Sequence, residues 1–394
     1  MTTFQTAEGN IFDELSTSQT KSFNKTDLGY AGTQHQAMLS TEFGHVWVDS
    51  QRGKVFTIQV GAGGVIEISK GMEKWFKENL PMVLPTYFKI NPDNAYNGVG
   101  IHMGWDDRLK RLFITKKDFR PKSNLPITLL YTEEEGFHYI IDGDTYYITL
   151  GDPIYFDDCS WTVAFNHKVD AWISYYSFKP NYYIAQSDYF QTGVNYSMDP
   201  TEIGLWSHFS FLSSYQVFYG KLYPFTVEYA VPTKYSDSLF ESVEYMLDVR
   251  KYYNKYDFAN IYGIGFNKAV VYNNQQNTGL LDLHHQKEND ISQAIEYPKF
   301  NPNSISILQS CINNRWSFNY LYNLVRNAKS GLPLWLYDAA KVDKTINHKL
   351  LDYRSTYKDR LRGSYFKVQL SNDLESRYKF ILQYAIDNRS FYEQ

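Results

Sequence analysis

Two pairs of adjacent carboxylates come nearest to an acid–base site in this sequence. Asp106-Asp107 and Asp157-Asp158 supply the residue type that glycoside hydrolases place on either side of a sugar bond. Neighbouring side chains of a strand point to opposite faces, and both pairs fall in or beside predicted turns, where Asp bonds to its own backbone. We therefore interpret both pairs as turn residues and predict no catalytic residue.

Histidine, cysteine and glycine patterns give no metal, nucleophile or cofactor site either. His284-His285 follows Asp282, but adjacent histidines in an extended chain diverge, and no further ligand stands at a recognised spacing. Cys159-Ser160-Trp161 begins a predicted strand without an identifiable base, and no Gly-x-Ser-x-Gly elbow occurs. Gly61-Ala62-Gly63-Gly64 lacks the spacing of a nucleotide-binding loop, so we interpret it as a turn or bulge.

Seven basic residues crowd into the segment 108–122: Arg108, Lys110, Arg111, Lys116, Lys117, Arg120 and Lys122. Such a cluster can contact phosphates or an acidic partner subunit. Lysine also blocks unwanted pairing at the edge of a sheet, and we favour a solvated hairpin edge. Four single histidines beside aromatic residues are interpreted as packing or turn residues: His45, His102, His167 and His208.

Composition excludes some classes of protein and favours others. The 394 residues carry a net charge of −4, so the chain lacks the overall basic character of nucleic-acid-binding domains. No apolar run approaches the roughly 20 residues of a membrane span, and we expect neither a signal peptide nor a membrane segment. Cys159 and Cys311 suit a reducing cytoplasm rather than a disulfide framework. The 35 Tyr, 26 Phe and 8 Trp favour strands, and indicate either interfaces or an aromatic core.

A phrase that recurs about every 60 residues indicates how the chain is organised. It consists of a large apolar residue, Asp or Asn, a polar turn and a second apolar pair. The copies are 48–56, 105–113 and 165–173, with a truncated fourth copy at 266–272. This spacing predicts a repeated hairpin unit, such as a propeller blade, that buries its face against the next unit.

The other segments predict short strands with few helices. Ser69 is a candidate cap for one helix, which Leu80-Pro81 ends, and Asp142-Gly143 predicts a tight hairpin turn. The apolar residues on one face of that helix are Met72, Trp75 and Phe76. Further strands are predicted at 225–231, 239–253, 365–370 and 378–384, although 239–253 also shows apolar residues at helical spacing.

These patterns predict an all-β protein with three parts. Residues 1–40 are polar and form an extended or disordered arm. Residues 41–204 contain the propeller-like repeated hairpins, and residues 205–394 form a C-terminal β-rich domain.

Several short strings occur in an order that resembles the muzzle, or tail-nozzle, proteins of crAss-like and related short-tailed bacteriophages. The strings are Gly32-Thr33-Gln34-His35, Thr41-Glu42-Phe43-Gly44-His45-Val46-Trp47-Val48-Asp49, Gly71-Met72-Glu73-Lys74-Trp75-Phe76, Ser174-Tyr175-Tyr176-Ser177-Phe178-Lys179-Pro180, Leu205-Trp206-Ser207-His208, Phe266-Asn267-Lys268, Asn277-Thr278-Gly279-Leu280-Leu281 and Leu361-Arg362-Gly363-Ser364-Tyr365-Phe366. The resemblance covers nearly the whole chain beyond residue 30, and its specificity lies in the order of the strings.

The resemblance implies a structural protein of the virion tail, made in the cytoplasm of the host bacterium. Such proteins form a ring around the DNA exit channel, here expected to be a hexamer or dodecamer. They contact other tail and ring proteins and tail fibres, while genomic DNA passes without specific binding. No catalytic, cofactor or metal residues are implied. Propellers close with about four to eight blades, so further blades would come from another chain or a cleaved precursor.

Two functions of other classes stay open at this point. A glycan-binding module that recognises the host surface could use Trp105, Trp161 and Trp206 to stack on sugars. A glycoside hydrolase would instead require two carboxylates about 5 to 9.5 Å apart in a cleft.

Overall fold

The structure, a computed structural model, describes residues 37–59, 64–92, 98–185, 190–195, 197–208, 215–232, 238–254, 257–285, 299–300, 304–319, 321–323, 360–373 and 378–390. The chain divides into two compact units, Met1–Phe209 and Ser210–Gln394. It consists mostly of strands with little helix, so the all-β prediction is confirmed. Of the predicted N-terminal arm, residues 1–36 lie outside the described part, whereas Met38–Thr41 form a strand.

The described part of the first unit contains one α-helix, α1 (Glu73–Asn79), and 3₁₀ helices at Leu84–Thr86 and Pro200–Glu202. Its strands are β1 (Met38–Thr41), β2 (Gly44–Asp49), β3 (Lys54–Gln59), β4 (Val65–Glu67), β5 (Gly100–Asp106), β6 (Arg111–Lys117), β7 (Phe119–Pro121), β8 (Leu130–Thr132), β9 (Gly136–Ile141), β10 (Asp144–Ile148), β11 (Phe156–Asp158), β12 (Trp161–Asn166), β13 (Ala171–Tyr176), β14 (Tyr182–Ala185), β15 (Phe190–Val194) and β16 (Gly204–His208).

Two four-stranded antiparallel sheets, β1-β2-β3-β4 and β13-β12-β6-β5, share one hydrophobic core with α1. Val48 and Val55 enter this core from the first sheet, Leu112 and Ile114 from the second, and Phe76 from α1. Smaller sheets in the same unit have the orders β10-β9-β8, β11-β7 and β14-β15-β16.

Strand β6 is covered on both of its faces. Leu112 and Ile114 face the core with α1, whereas Phe113 faces the opposite way and stacks on Phe190 of β15 with ring centroids 4.8 Å apart. Gly104 of β5 lets this second layer approach, because a Cβ there would lie 2.4 Å from the Tyr183 ring. All residues of β6 except Arg111 are therefore buried.

Each of the three complete copies of the repeated phrase is a β-hairpin with a four-residue loop. The Asp or Asn that starts each loop accepts a backbone N–H from within it, an Asx turn. The bonds to Oδ1 are Arg52 N–H to Asp49 (3.0 Å), Arg108 N–H to Asp106 (3.2 Å) and Lys168 N–H to Asn166 (2.9 Å). The last loop residue has a positive φ in every copy: Gly53 (67°), Lys110 (54°) and Asp170 (50°).

The propeller arrangement of these hairpins is not confirmed. The second and third hairpins belong to one sheet, because β12 pairs with β6 from Trp161 opposite Lys116 to Asn166 opposite Arg111. The first hairpin lies in the other four-stranded sheet. The repeated phrase thus specifies a loop and its hairpin, not one separate blade for each copy.

The predicted helix is present as α1, but its predicted cap is wrong. Met72 is the N-cap residue and makes no side-chain capping bond. The Ser69 hydroxyl donates instead to Glu67 (2.6 Å) on β4. Leu80-Pro81 follows the helix, as the sequence predicts. The predicted hairpin turn is also confirmed, since Asp142 and Gly143 have φ of 55° and 92° between β9 and β10.

The described strands of the second unit are β17 (Val217–Phe218), β18 (Lys221–Leu222), β19 (Phe225–Pro232), β20 (Ser238–Tyr252), β21 (Phe258–Ile261), β22 (Lys268–Tyr272), β23 (Leu281–His285), β24 (Lys299–Phe300), β25 (Ile305–Ile312), β26 (Arg315–Phe318), β27 (Arg362–Gly363), β28 (Tyr365–Asn372) and β29 (Lys379–Ser390). The order along its main sheet is β19-β28-β22-β23-β25-β26-β20-β21. Strands β24, β27 and β29 pair off this path, β29 along most of β20.

The core of the second unit lies against this curled sheet and is centred on Tyr245 of β20. The Tyr245 ring lies parallel to Trp316, with centroids 6.3 Å apart. Its hydroxyl donates to Gln309 Oε1 (2.8 Å) and accepts the Phe266 N–H (3.2 Å). A buried tyrosine is stable here because both of its hydroxyl roles are satisfied.

The predicted strands at 225–231, 239–253, 365–370 and 378–384 are confirmed as β19, β20, β28 and β29. The truncated fourth copy at 266–272 is wrong as a hairpin. The residues that would form its loop lie in β22, a strand between β28 and β23.

Candidate interaction surface

The carboxylates of Asp106-Asp107 and Asp158 are engaged in loop hydrogen bonds or ion pairs with nearby lysines, and the two carboxylate pairs form no acid–base pair with each other. Asp106 closes its loop, and burial raises the pKa of its carboxyl, opposed by the N–H bonds from Leu109 and Arg108. Asp107 forms an exposed ion pair with Lys110 (2.8 Å). Burial would raise the pKa of Asp158, but the charge and hydrogen bond of Lys179 (2.6 Å) outweigh it and lower the pKa.

No group of three or more His, Cys, Asp and Glu side chains suited to a metal ion occurs within the described ranges. His284 is exposed, whereas His285 packs edge-on against Trp316 with centroids 4.8 Å apart. Cys159 and Cys311 are free thiols. The glycine-rich segment 61–64 lies outside the described residues except for Gly64.

The interpretation of 108–122 as a solvated hairpin edge is wrong for its two central lysines. Lys116 is 1% exposed and forms an ion pair with Asp118 (2.8 Å), which is fully buried. Lys116 Nζ also donates to the carbonyls of Asn79 (2.9 Å), the last residue of α1, and Pro81 (2.7 Å), just beyond it. A cation at this position satisfies carbonyls that the end of the helix leaves without partners.

Asp118 satisfies backbone groups on the other side of this ion pair, and we call the pair with its backbone partners the Lys116–Asp118 node. Its carboxylate accepts the backbone N–H of Val83 (2.7 Å) and of Leu84 (3.0 Å), at the start of the 3₁₀ helix. It also accepts the N–H of Phe119 (3.0 Å). One ion pair therefore ends α1, starts the next helical turn and ties both to β6.

Lys117 and His102 lie on the opposite face of the β5–β6 pair from this node. Lys117 Nζ donates to Asn181 Oδ1 (3.2 Å), and burial lowers the pKa of Lys117 to about 8. Burial, with the nearby charge of Lys117, lowers the pKa of His102 to about 3. Thr115 on the same face is hydrogen-bonded to Thr162 (2.8 Å) and to the Tyr183 hydroxyl. This is a buried polar layer between two sheets.

Of the other histidines, His208 and His167 have the predicted packing role, whereas His45 is exposed within β2 and is neither a packing nor a turn residue. His208 is hydrogen-bonded to Thr192 (2.6 Å), and burial lowers its pKa to about 4. His167 stacks on Phe43 with centroids 3.8 Å apart. His45 is hydrogen-bonded to Ser40 (2.7 Å) across the β1–β2 pair.

The three tryptophans considered for sugar stacking are half-buried and occupy separate surroundings. Each indole N–H already has an acceptor in the chain: Trp105 donates to Asp107 (3.3 Å), Trp161 to the Asn79 carbonyl (3.2 Å) and Trp206 to the Glu202 carbonyl (2.8 Å). Trp105 contacts Phe43, and Trp161 contacts Trp75. They do not form one platform.

The largest exposed apolar side chains of the first unit include several on the β10-β9-β8 sheet. On its outer face Leu130, His138 and Tyr147 lie side by side across the three strands, with His138 itself only 4% exposed. Tyr147 is 69% exposed and Ile140, further along β9, is 55% exposed. The inner face packs on a separate core through Phe137 and Ile148. We call the outer face and the free edge of β10 the tyrosine edge.

Both turns of the β10-β9-β8 sheet are acidic. Residues 123–167 contain eight Asp and Glu and no Lys or Arg. Glu133, Glu134 and Glu135 form the β8–β9 turn, while Asp142 and Asp144 flank the tip of the β9–β10 hairpin. Sequence reasoning missed this surface, although the long stretch without a basic residue around Tyr139, Tyr146 and Tyr147 was a readable signal.

A second exposed edge in the same unit carries charges of both signs, with Asp170 in the same loop as Lys168. Strand β13 is the outer strand of β13-β12-β6-β5, and Ile173 and Tyr175 are 37% and 58% exposed. The loop before it carries Lys168, and a hydrogen bond from His167 N–H to the Lys110 carbonyl (3.2 Å) brings the β5–β6 loop beside it.

No protein-family model matches the chain, and none of the curated proteins matches it. Within the described residues, no helix has the length and apolar character needed to cross a membrane.

Proposed function

We propose that this protein is a structural component of a bacteriophage tail, a muzzle or nozzle protein without enzymatic activity. Copies of the chain form a hexameric or dodecameric ring that is part of the wall or gate of the DNA-ejection channel. The ring contacts other tail and ring proteins and tail fibres. The order of the short strings across nearly the whole chain supports this family, and the tyrosine edge is the observation that carries an assembly role.

A wall protein needs rigid sheets and surfaces that bind other subunits. The node of Lys116 and Asp118 and the stack around Tyr245 supply rigidity within each unit. The tyrosine edge supplies an apolar and acidic contact area, and exposed patches of this kind mark interaction sites. The net charge of −4 suits a channel that DNA passes without adhering, because phosphate attraction creates nonspecific binding.

We propose a closed propeller only if other chains contribute blades to it. The described hairpins 44–59, 100–117 and 161–176 lie in two sheets, so a propeller would need blades from another polypeptide or from a cleaved precursor.

Electron microscopy of the purified chain, alone and with its neighbouring tail proteins, tests the proposal. We expect rings with a central channel and six-fold or twelve-fold symmetry. A monomer that never joins a tail assembly would refute the structural role. A channel face lined with Lys and Arg would refute the sliding of DNA on an acidic wall.

A glycan-binding module of the tail is the alternative function, and a glycoside hydrolase a more distant one. Trp105, Trp161 and Trp206 are only half-buried, although their indole N–H groups have acceptors. Specific binding on a glycan array that is lost on Trp206→Ala would favour this alternative. Release of reducing sugar that is lost on Asp158→Asn would favour the hydrolase.

A further inference from the structure

Two groups that can react with each other meet in the buried polar layer between β6 and the β14-β15-β16 sheet. One is the side-chain amine of Lys117, and the other is the side-chain amide of Asn181. Lys117 Nζ lies 3.2 Å from Asn181 Oδ1, and the two residues are 7% and 1% exposed. A primary amine and a primary amide are the reactants from which a secondary amide forms, with release of ammonia.

The hydrogen bonds of Lys117 differ from those of its neighbour Lys116. Lys116 Nζ has a carboxylate and two backbone carbonyls as acceptors, which suits an ammonium group. Among the residues that the structure describes, Lys117 Nζ donates only to Asn181 Oδ1. A buried ammonium with one acceptor for three N–H donors is unfavourable, so this site favours an amine that is neutral or has reacted.

Burial leaves part of the Lys117 amine uncharged, as an attack on carbon requires. It lowers the pKa of Lys117 from the ordinary 10.5 to about 8, opposed by the charges of Asp158 and Glu202 and supported by that of Lys179. Roughly one Lys117 amine in ten is then neutral at pH 7, compared with roughly one in three thousand for an exposed lysine. His102 on the neighbouring β5 adds no charge, because burial lowers its pKa to about 3.

Backbone pairing holds both groups in place, so neither has to search for the other. Lys117 is the last residue of β6 and is paired with Gly100 of β5. The Asn181 N–H donates to the Gly193 carbonyl of β15 (2.8 Å). Well-oriented groups held about 3–3.5 Å apart react as if at effective concentrations of roughly 10⁵–10⁸ M. A reaction that is slow between free amines and amides therefore becomes feasible at this position.

We propose that Lys117 and Asn181 become joined by an isopeptide bond once the chain has folded. The neutral Nζ attacks Cγ, the side-chain carbonyl carbon of Asn181, and forms the new N–C bond. The bond between Cγ and Nδ2 breaks, and Nδ2 leaves as ammonia with the proton that Nζ gives up. Atoms and charges balance without an oxidant or any further reactant.

This bond links the end of β6 to the segment that enters β14, 64 positions later in the chain. The two sheets that enclose the polar layer are then joined covalently at this end, and they stay together there when the rest of the unit is heated or pulled. The inference goes beyond the proposed function and does not depend on it, because it concerns the fold of a single chain.

The mass of the intact full chain under denaturing conditions tests the bond directly. After purification and incubation at mildly alkaline pH, we expect a mass lower than that of the sequence by one ammonia. Lys117→Arg and Asn181→Ala should each have the mass of their own sequence, since one reactant is missing. Lys179→Arg is the matched control: it replaces a lysine two positions from Asn181 that is ion-paired with Asp158 (2.6 Å), and it should keep the loss.

Peptide mapping of the original chain locates the bond without depending on whether a variant folds. A tryptic digest should contain one branched peptide in which the segment with Lys117 is attached to the segment with Asn181. The cut that trypsin makes after a free lysine should be missing at Lys117.

Two results would overturn the isopeptide bond. One is an original chain that has the full mass of its sequence and is cut by trypsin after Lys117. The other is a loss of ammonia that persists in Lys117→Arg, since it would then come from cyclisation of an asparagine. Neither result touches the tail role, whereas a chain that carries the bond but forms no ring in any mixture would overturn the tail role alone.

Discussion

Replacing Asp118 by alanine removes the carboxylate that joins three elements of the first unit. The substitution leaves the Lys116 ammonium buried at 1% exposure with only two carbonyl partners. It also leaves the backbone N–H groups of Val83 and Leu84 without their acceptor. The remaining strands of the sheet are not touched directly, so the effect reports on this node.

The expected loss of stability follows from the burial of the pair. Removing one partner of a buried ion pair costs about 3–5 kcal/mol, because the other charge stays uncompensated in a medium of low polarity. For a unit of this size each kcal/mol shifts Tm by roughly 2–4 °C. We therefore expect Asp118→Ala to lower the Tm of the first unit by roughly 6–20 °C.

Tryptophan fluorescence during urea or thermal unfolding is a suitable assay. Six of the eight tryptophans lie in 1–209, so the signal comes mainly from the unit that carries the substitution. Asp107→Ala is the control, since it removes an ion pair of similar length from Lys110, which is less buried and keeps its contact with Glu42. It also removes the acceptor of the Trp105 N–H, so the unfolding midpoint and not the fluorescence intensity is compared, and we expect a shift much smaller than that of Asp118→Ala. The double substitution Lys116→Met, Asp118→Leu should cost less than Asp118→Ala alone, because no unpaired charge remains.

The reasoning is refuted if Asp118→Ala and Asp107→Ala unfold at the same denaturant concentration. That result would mean that water reaches Lys116 and that the node does not hold α1 to the sheet.

Three further perturbations test other parts of the structure. Tyr245→Phe removes the hydroxyl that accepts the Phe266 N–H and donates to Gln309, and should destabilise the second unit by about 1–3 kcal/mol; urea unfolding followed by circular dichroism measures it, and an unchanged midpoint would contradict the buried network. Gly104→Ala places a methyl group against the Tyr183 ring and should cost about 1–3 kcal/mol, with Gly64→Ala, where a Cβ meets nothing within 4 Å, as the control. His102 and His208 titrate near pH 6.5 when unfolded but at about 3 and about 4 when folded. The unfolded state therefore binds more protons between these values, and the stability of the first unit should fall as the pH is lowered from about 6.5 towards 4. Replacing both histidines by Gln should flatten this part of the stability profile, and a profile that keeps its slope would show that other groups cause it.

The sequence allowed the turns to be predicted, but not which side chains are buried by segments distant in the chain. Asp142-Gly143 and the three Asp or Asn loops were found because a turn is specified by residues within a few positions of one another. The burial of Lys116 and Lys117 was missed because their partners, the carbonyls after α1 and the side chain of Asn181, come from distant segments. The solvated hairpin edge predicted for 108–122 is absent along β6, because a second sheet covers the face that carries Phe113.

The propeller prediction inferred the arrangement of the hairpins from a repeated phrase that specifies only their loops. The copies of the phrase share a loop type, and a loop type does not determine which strand pairs with the next hairpin. The tyrosine edge was overlooked for a related reason. Composition showed many tyrosines but not which of them lie outside the cores, and that depends on packing against residues such as Phe137 and Phe156.

The strand order of the second unit also has a consequence for the timing of its synthesis. Strand β28 lies between β19 and β22, and β29 pairs along most of β20. The sheet therefore cannot close until residues 365–390 have left the ribosome, while the apolar edges of β19, β20 and β22 wait unpaired. Contacts this distant in sequence form slowly, and exposed edges in the interval favour aggregation. Cells that produce this chain should accordingly gain soluble protein from slower translation or lower temperature, and a chain that stops before β28 should accumulate in inclusion bodies.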